Sequence, residues 1–317
     1  MTAPVVDRSG AADRFEHEVL FSRDDESFLA GVLPFVQDGL ERDEAVVVAE
    51  PRPRLEQLRD ALGDDSDAVQ FLDMAEVGGN PARIIGVWAA VLQKCTDAGQ
   101  VLRGVGEPAF PGRRDLELVE CELHEHLLNR AFDGGPAWRL LCPYDEGGLP
   151  RTVVRNALRT HPLRAAGDAR VPSGSYAVDG AEQAFAAPLP RPPVGVLRGG
   201  YGPADVPVTR RTVAQYARRC GLAEDQVEVL ELAASELATT SVRHGGGSGT
   251  LAMWLEAGAV VVEFTDSGRL ADPLLGRLAP PLDAVGGRGL YLVQQLCDLA
   301  QVRSSPDGTT VRAITWL

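Results

Sequence analysis

Glu236, Thr240 and Arg243 stand four and three residues apart in SELATTSVRHG, so on a helix they share one face. Val227, Leu230, Ala234, Leu237 and Ser241 recur at threes and fours on the same stretch and form a core-facing stripe. The Glu236 carboxylate is thereby aimed off the core, although such a face taken alone is also what any solvated helix presents. Asp266 and Gly268 follow the apolar run VVVEFT, which sets a carboxylate and a permissive glycine at a strand end, a position that suits a pocket rim. GGRGLYLV places Gly286, Gly287 and Gly289 at the start of a helix, where backbone N–H groups and the positive dipole end can hold phosphate without a lysine. Gly308 and Thr309 open a last strand expected beside the Asp266 strand. Each motif is weak singly; their order along the chain is the signal.

Lysine-free phosphate binding is also what the composition leaves open. Lys94 is the one lysine among 31 bases, and it lies between Gln93 and Cys95, so a Walker-type G-K-[ST] loop and the V-A-I-K and H-R-D set of protein kinases are excluded. Residues 1–163 carry 29 acids and 17 bases, net -12, and residues 164–317 carry 16 and 14, net -2. Neither half has the basic excess that direct nucleic-acid binding needs. With no run of about 18 apolar residues and no signal-peptide stretch in MTAPVVDRSGAADRFEHE, the expectations are no membrane association and a cytoplasmic location. Cys95, Cys121, Cys142, Cys220 and Cys297 form no C-x-x-C, and neither a disulfide nor a zinc framework follows from their spacing.

The elements that must position these groups fall into two sets. EVLFS (18–22), AVVVA (45–49), VQFL (69–72), VLRGV (101–105) and WRLLC (138–142) read as strands separated by helical patterns. AVVVA is apolar on both faces, which fits a parallel strand covered by crossover helices, and an open, mostly parallel α/β sheet is expected over residues 14–162. Eight of the 22 prolines lie between Pro162 and Pro207, and residues 163–204 read as a Pro/Ala/Gly-rich linker. After it, VTRRTVAQYARRCG reads as a helix capped by Thr209 and ended at Gly221, and AEDQVEVLELAASELATTSVRHG as a longer one ending at Gly245. A hairpin through Gly258, a loop, a helix from about Leu290 to Cys297 and two strands around SPDG complete an α-α-β-β-loop-α-β-β order.

On those residues, 205–317 resembles the Bergerat-fold ATPases, and most closely the anti-sigma-factor serine kinases. SELATTSVRHG matches the N box, FTDSG and GGRGLYLVQQL the two glycine boxes, and DGTTV the terminal Thr element. The resemblance implies an α/β sandwich that binds ATP with Mg²⁺. Glu236 would be the general base, Asp266 would accept the adenine amino group, and Gly268 would let the backbone approach the base. Gly286, Gly287, Arg288 and Gly289 would line the phosphates, and Thr309 would hydrogen-bond near the adenine. The family's Asn ligand to Mg²⁺ is replaced by Thr240, a shorter side chain in a strictly octahedral setting, and D-S-G-R-L lacks the second glycine of D-x-G-x-G.

Residues 14–162 resemble the MEDS sensory domain through FEHEVLFS, GEPAFPGRR, CELHEHLLNRAF and LLCPYDEGGLP. His17, and Tyr144 with Asp145 at the C-terminal end of a parallel strand, are candidates to line a pocket for a small-molecule ligand. In GVGEPA, Gly104 and Gly106 imitate part of a dinucleotide fingerprint, but Pro108 and the missing last glycine point to a plain turn. Cys121 and His124 are i,i+3 while His126 faces elsewhere, so those three read as structural rather than metal-binding.

The function implied is a cytoplasmic anti-sigma regulator, a serine/threonine kinase acting on a STAS anti-anti-sigma protein and sequestering a sigma factor under sensory control. A homodimer is compatible with it. The alternative is a nucleotide-binding partner-switching module that has lost phosphotransfer through Thr240. A sensor histidine kinase fails, because His17, His161 and His244 all lack the context of a phosphoacceptor on a dimerising helix.

Overall fold

A computed structural model describes residues 6–7, 13–167, 169–281 and 287–317, and the chain divides into two compact units, Met1–Ala181 and Glu182–Leu317. No helix among the described residues is long and apolar enough to cross a membrane.

The first unit runs β1 (Val6–Asp7), β2 (Phe15–Ser22), α1 (Asp25–Glu41), β3 (Ala45–Glu50), α2 (Arg52–Leu62), β4 (Val69–Asp73), α3 (Met74–Val77), α4 (Ile84–Asp97), β5 (Leu102–Gly106), α5 (Asp115–Phe132), β6 (Trp138–Asp145), α6 (Arg151–Thr160), β7 (Leu163–Ala166) and β8 (Ala169–Pro172). Its sheet has the order β1-β8-β7-β2-β6-β5-β3-β4. Every pairing from β7 to β4 is parallel, and only β7–β8 and β1–β8 are antiparallel. The apolar run of β3 explains why: Val46 and Val48 pack with Phe28, Val32 and Val36 of α1 and with Leu55 and Leu58 of α2, while Val47 on the opposite face is equally buried. Burying each such side chain contributes about 1.5–3 kcal/mol, which a strand solvated on one face could not collect twice. Entry into α1 is fixed locally, because the Asp24 carboxylate accepts from the Ser27 amide at 2.8 Å and the Asp24 amide donates to the Ser27 hydroxyl at 3.1 Å.

GVGEPA forms neither a fingerprint nor a turn over its glycines. Gly104 and Gly106 lie inside β5, between β3 and β6, where a Cβ on either would come within 3.0 Å of the Trp88 indole. The glycines make room for that ring.

Residues 163–204 differ from the expected linker. They hold β7 and β8, α7 (Gly180–Ala186) and a further strand, β9 (Leu197–Tyr201), the last belonging to the second sheet. The second unit continues with α8 (Val206–Arg219), α9 (Glu224–His244), β10 (Gly249–Glu256), β11 (Ala259–Asp266), α10 (Arg288–Leu296), β12 (Leu299–Ser305) and β13 (Gly308–Trp316). Its sheet order is β12-β13-β11-β10-β9, antiparallel throughout. Ala257 and Gly258 join β10 to β11 with φ of 48° and 76°, the two left-handed residues of a type I′ hairpin turn. Thr209 does not cap α8 but is buried within it; the helix starts earlier because Pro207 fits a first turn whose positions have no acceptor within the helix for an N–H.

Candidate functional site

The apolar stripe of α9 buries Val227, Leu230, Ala234, Leu237 and Ser241, which turns Glu236 and Thr240 toward α10. Contact there is close: a Cβ added to Gly289 would lie 2.7 Å from Glu236 Oε2 and 3.4 Å from Thr240 Oγ1. The first turn of α10 therefore sits directly over the Glu236 carboxylate, and a side chain at position 289 would have to displace that carboxylate. Gly287, with φ of 80°, reverses the chain into α10, whose first-turn amides have no acceptor within the helix. Arg288 is exposed on that turn, as is Arg243 on α9. Gly286 lies outside the described residues.

One residue beyond Thr240, the Ser241 hydroxyl donates to Asp266 Oδ2 at 2.6 Å, and the Gly268 amide donates to Oδ1 at 2.8 Å. Register then brings in β13, where Asp266 pairs with Thr309. Thr309 Oγ1 donates to the Gly268 carbonyl at 2.8 Å, which leaves its lone pairs for the Ser304 hydroxyl at 2.8 Å; Ser304 in turn accepts from the Leu270 amide at 2.9 Å. Glu236, Thr240 and Gly289 are thus one group and Asp266, Gly268 and Thr309 another, and they meet at consecutive residues of α9. Sequence reasoning placed Ser241 in the core stripe and missed its second role. The signal was available, since a hydroxyl on an apolar stripe requires a hydrogen-bond partner once buried.

The first unit gathers acids at the C-terminal ends of its parallel strands. Glu50 ends β3 and Glu107 follows β5, both buried. Burial, reinforced by the neighbouring Glu107, holds the Glu50 carboxyl well above its usual range, and burial pushes Glu107 up to about 7. A carboxyl whose pKa is raised on folding stabilises the fold fully below its unfolded value near 4.5, and that contribution is lost as pH rises to about 7. Glu107→Gln is therefore expected to gain stability over the parent chain between pH 4.5 and pH 7.5, by on the order of 3 kcal/mol. Denaturant unfolding of both chains across that range checks it, and a pH-independent difference would contradict it.

Tyr144 and Asp145 are at the strand end as expected. The Tyr144 hydroxyl is turned inward, donating to Glu125 Oε1 at 3.1 Å, whereas Asp145 Oδ1 accepts from the Gly147 and Gly148 amides at 2.8 and 2.9 Å. His17 lies within β2 rather than before it and is fully buried, so it lines no open pocket. Cys121 donates to the Pro108 carbonyl at 3.1 Å; among the described residues the ligand-type cluster is a different one, His17, Glu125, Cys142 and His161.

With this geometry in place, comparison with known proteins gives two matches to family models. Residues 16–162 match the MEthanogen/methylotroph, DcmR Sensory domain (MEDS), and residues 202–315 match the histidine kinase-like ATPase domain. The chain joins a MEDS domain to a histidine kinase-like ATPase domain of the Bergerat type. No curated protein matches it. Among solved structures, it is similar at 19% identity and a TM-score of 0.30 to the RsbU and RsbW domains of Rv1364c from Mycobacterium tuberculosis, over 40% of this chain and 34% of that one. The chain thus spans about a third of the length of that structure.

Proposed function

We propose that the chain is an anti-sigma-type regulator in which the ATPase domain binds ATP, sequesters a sigma factor and phosphorylates a serine of a STAS anti-anti-sigma protein, under control of the MEDS domain. The single observation that carries this reading is the seating of Glu236 against Gly289, because it sets a carboxylate beside the helix entry suited to phosphate. Glu236 takes the serine proton as the serine oxygen bonds to the γ-phosphorus and the bond to ADP breaks. Asp266 and Thr309 hold the adenine end, with Gly268 admitting the base, and Gly286, Gly287, Arg288 and Gly289 line the phosphates.

The residues fit ATP better than Mg²⁺. When bound, Mg²⁺ neutralises charge on the phosphates, and here it would be held by Thr240, whose hydroxyl reaches one bond less far than an Asn carbonyl. That shortfall favours a second reading, a nucleotide-binding partner-switching module without kinase activity. The test is γ-labelled ATP with Mg²⁺, the full chain and candidate STAS proteins. Thr240→Asn is expected to raise transfer several-fold with a lower Mg²⁺ requirement, and Thr240→Ala to change little. A fast parent chain with Thr240→Ala severely impaired would show Thr240 to be a competent ligand and overturn this account of it, while no transfer by any variant would leave the partner-switching module standing.

A further inference from the structure

Four groups from four elements meet in the interior of the MEDS domain: His17 of β2, Glu125 of α5, Cys142 of β6 and His161, which caps the end of α6. All are buried, and their ligand-type atoms lie within 4.8 Å of one another. His17 Nε2 is 3.0 Å from Glu125 Oε2 and 3.3 Å from Cys142 Sγ; His161 Nε2 is 3.5 Å from the same carboxylate oxygen, and Sγ is 4.0 Å from it.

The outer contacts fix what these atoms can do. Asn129 Nδ2 donates to the Glu125 and Thr160 carbonyls at 3.1 and 2.7 Å, which turns its Oδ1 toward His17 Nδ1 at 3.1 Å. An amide oxygen only accepts, so His17 Nδ1 carries a proton and a neutral ring leaves Nε2 a lone pair. His161 is set the same way, because its Nδ1 faces the Ala157 carbonyl at 2.8 Å. Its Nε2 has no hydrogen-bond partner and points at the cluster. Glu125 Oε1 is occupied by Tyr144, leaving Oε2 turned inward. Two nitrogen lone pairs and a carboxylate oxygen, all acceptors, thus face one point in a dry interior. Three acceptors converging in this way need a shared cation between them, either a proton held on His17 Nε2 or a metal ion, and the near-equal separations from three further ligand-type atoms fit the metal.

We infer that His17, Glu125, Cys142 and His161 form a closed tetrahedral site for a divalent transition-metal ion of the zinc class. Bond lengths of about 2.0–2.3 Å to N, O and S give ligand-to-ligand edges of about 3.3–3.8 Å, and the four separations above run from 3.0 to 4.0 Å. Two imidazoles, a carboxylate and one thiolate are a borderline donor set that suits Zn²⁺ and disfavours Mg²⁺ or Ca²⁺. Asn129, the Ala157 carbonyl and Tyr144 orient the ligands from behind, as the outer partners of protein metal sites do.

The experiment is metal analysis and Co²⁺ exchange of the full chain, produced with added Zn²⁺ and purified without chelator. About one Zn²⁺ per chain is expected, and the Co²⁺ form should show the intense visible bands of four-coordination with a thiolate charge-transfer band in the near ultraviolet. Cys142→Ser should lose that band, Asn129→Ala should weaken Zn²⁺ binding about 10- to 100-fold, and Cys220→Ser should retain both metal and spectrum. Under a tenth of an equivalent of metal after loading, a pale six-coordinate Co²⁺ spectrum without a thiolate band, or full metal content in a Cys142→Ser/His161→Gln chain would each overturn the site. Should the substituted chains not fold, the Co²⁺ spectrum of the parent decides alone.

Discussion

Glu236→Gln is expected to lower phosphoryl transfer to a STAS serine by about 10²- to 10⁴-fold while leaving ATP binding largely intact. Glutamine keeps the shape that packs against Gly289 but cannot accept a proton at neutral pH, so the change removes the base and spares the architecture. The split between binding and turnover is the informative part. A residue that only stiffens the junction of α9 and α10 would lose both together, because the helix entry proposed to receive the phosphates would shift with it. Calorimetric ATP affinity measured beside γ-phosphoryl transfer therefore separates the roles, and equal loss of both would make Glu236 structural.

Asp266→Asn is expected to weaken adenine-nucleotide binding about ten- to a hundredfold, the worth of one charge-assisted hydrogen bond at roughly 1.5–3 kcal/mol. The fold should tolerate it. An Asn Oδ1 can still take the Gly268 amide, and the Ser241 hydroxyl, which now donates, can reverse and accept from the amide nitrogen. Unchanged affinity by calorimetry would remove Asp266 from the adenine contacts and leave it a strand-end anchor for Ser241.

Much of this was readable in advance, and the reasons differ by residue. AVVVA announced a buried parallel strand because both its faces are apolar, and Gly245 marked the end of α9, where it opens a glycine run whose next member, Gly246, takes the left-handed backbone that stops a helix. β9 was invisible: LRGGY has two glycines and is exposed over most of its length, so neither propensity nor alternation separates it from the Pro-rich stretch before it. Gly104 and Gly106 misled for a related reason, since what requires them is the Trp88 ring, sixteen and eighteen positions earlier. Spacing also concealed the His17–Glu125–Cys142–His161 cluster. Its members are scattered over 145 positions in four unrelated local contexts, and only the parallel register of β2 with β6 brings His17 near Cys142. The expectation of no zinc framework rested on local motifs, which a site assembled across a sheet does not leave.

The surroundings of Asp266 have a further consequence for recognition. A Cβ at Gly245 would fall 2.3 Å from its carboxyl carbon, one at Gly268 3.0 Å from Oδ1, and one at Gly308 2.2 Å from its backbone oxygen. Two glycine backbones thus crowd the carboxylate and a third its backbone oxygen, while two donors hold the carboxylate oxygens, so the side chain is held in place before any ligand arrives. Ordering a free side chain at a binding site costs about 0.5–1.5 kcal/mol, and here that entropy is already lost when the domain folds. Adenine would meet an acceptor at rest, and discrimination between purines would depend on their hydrogen-bonding edges, with little room for the carboxylate to adapt to a guanine in place of an adenine.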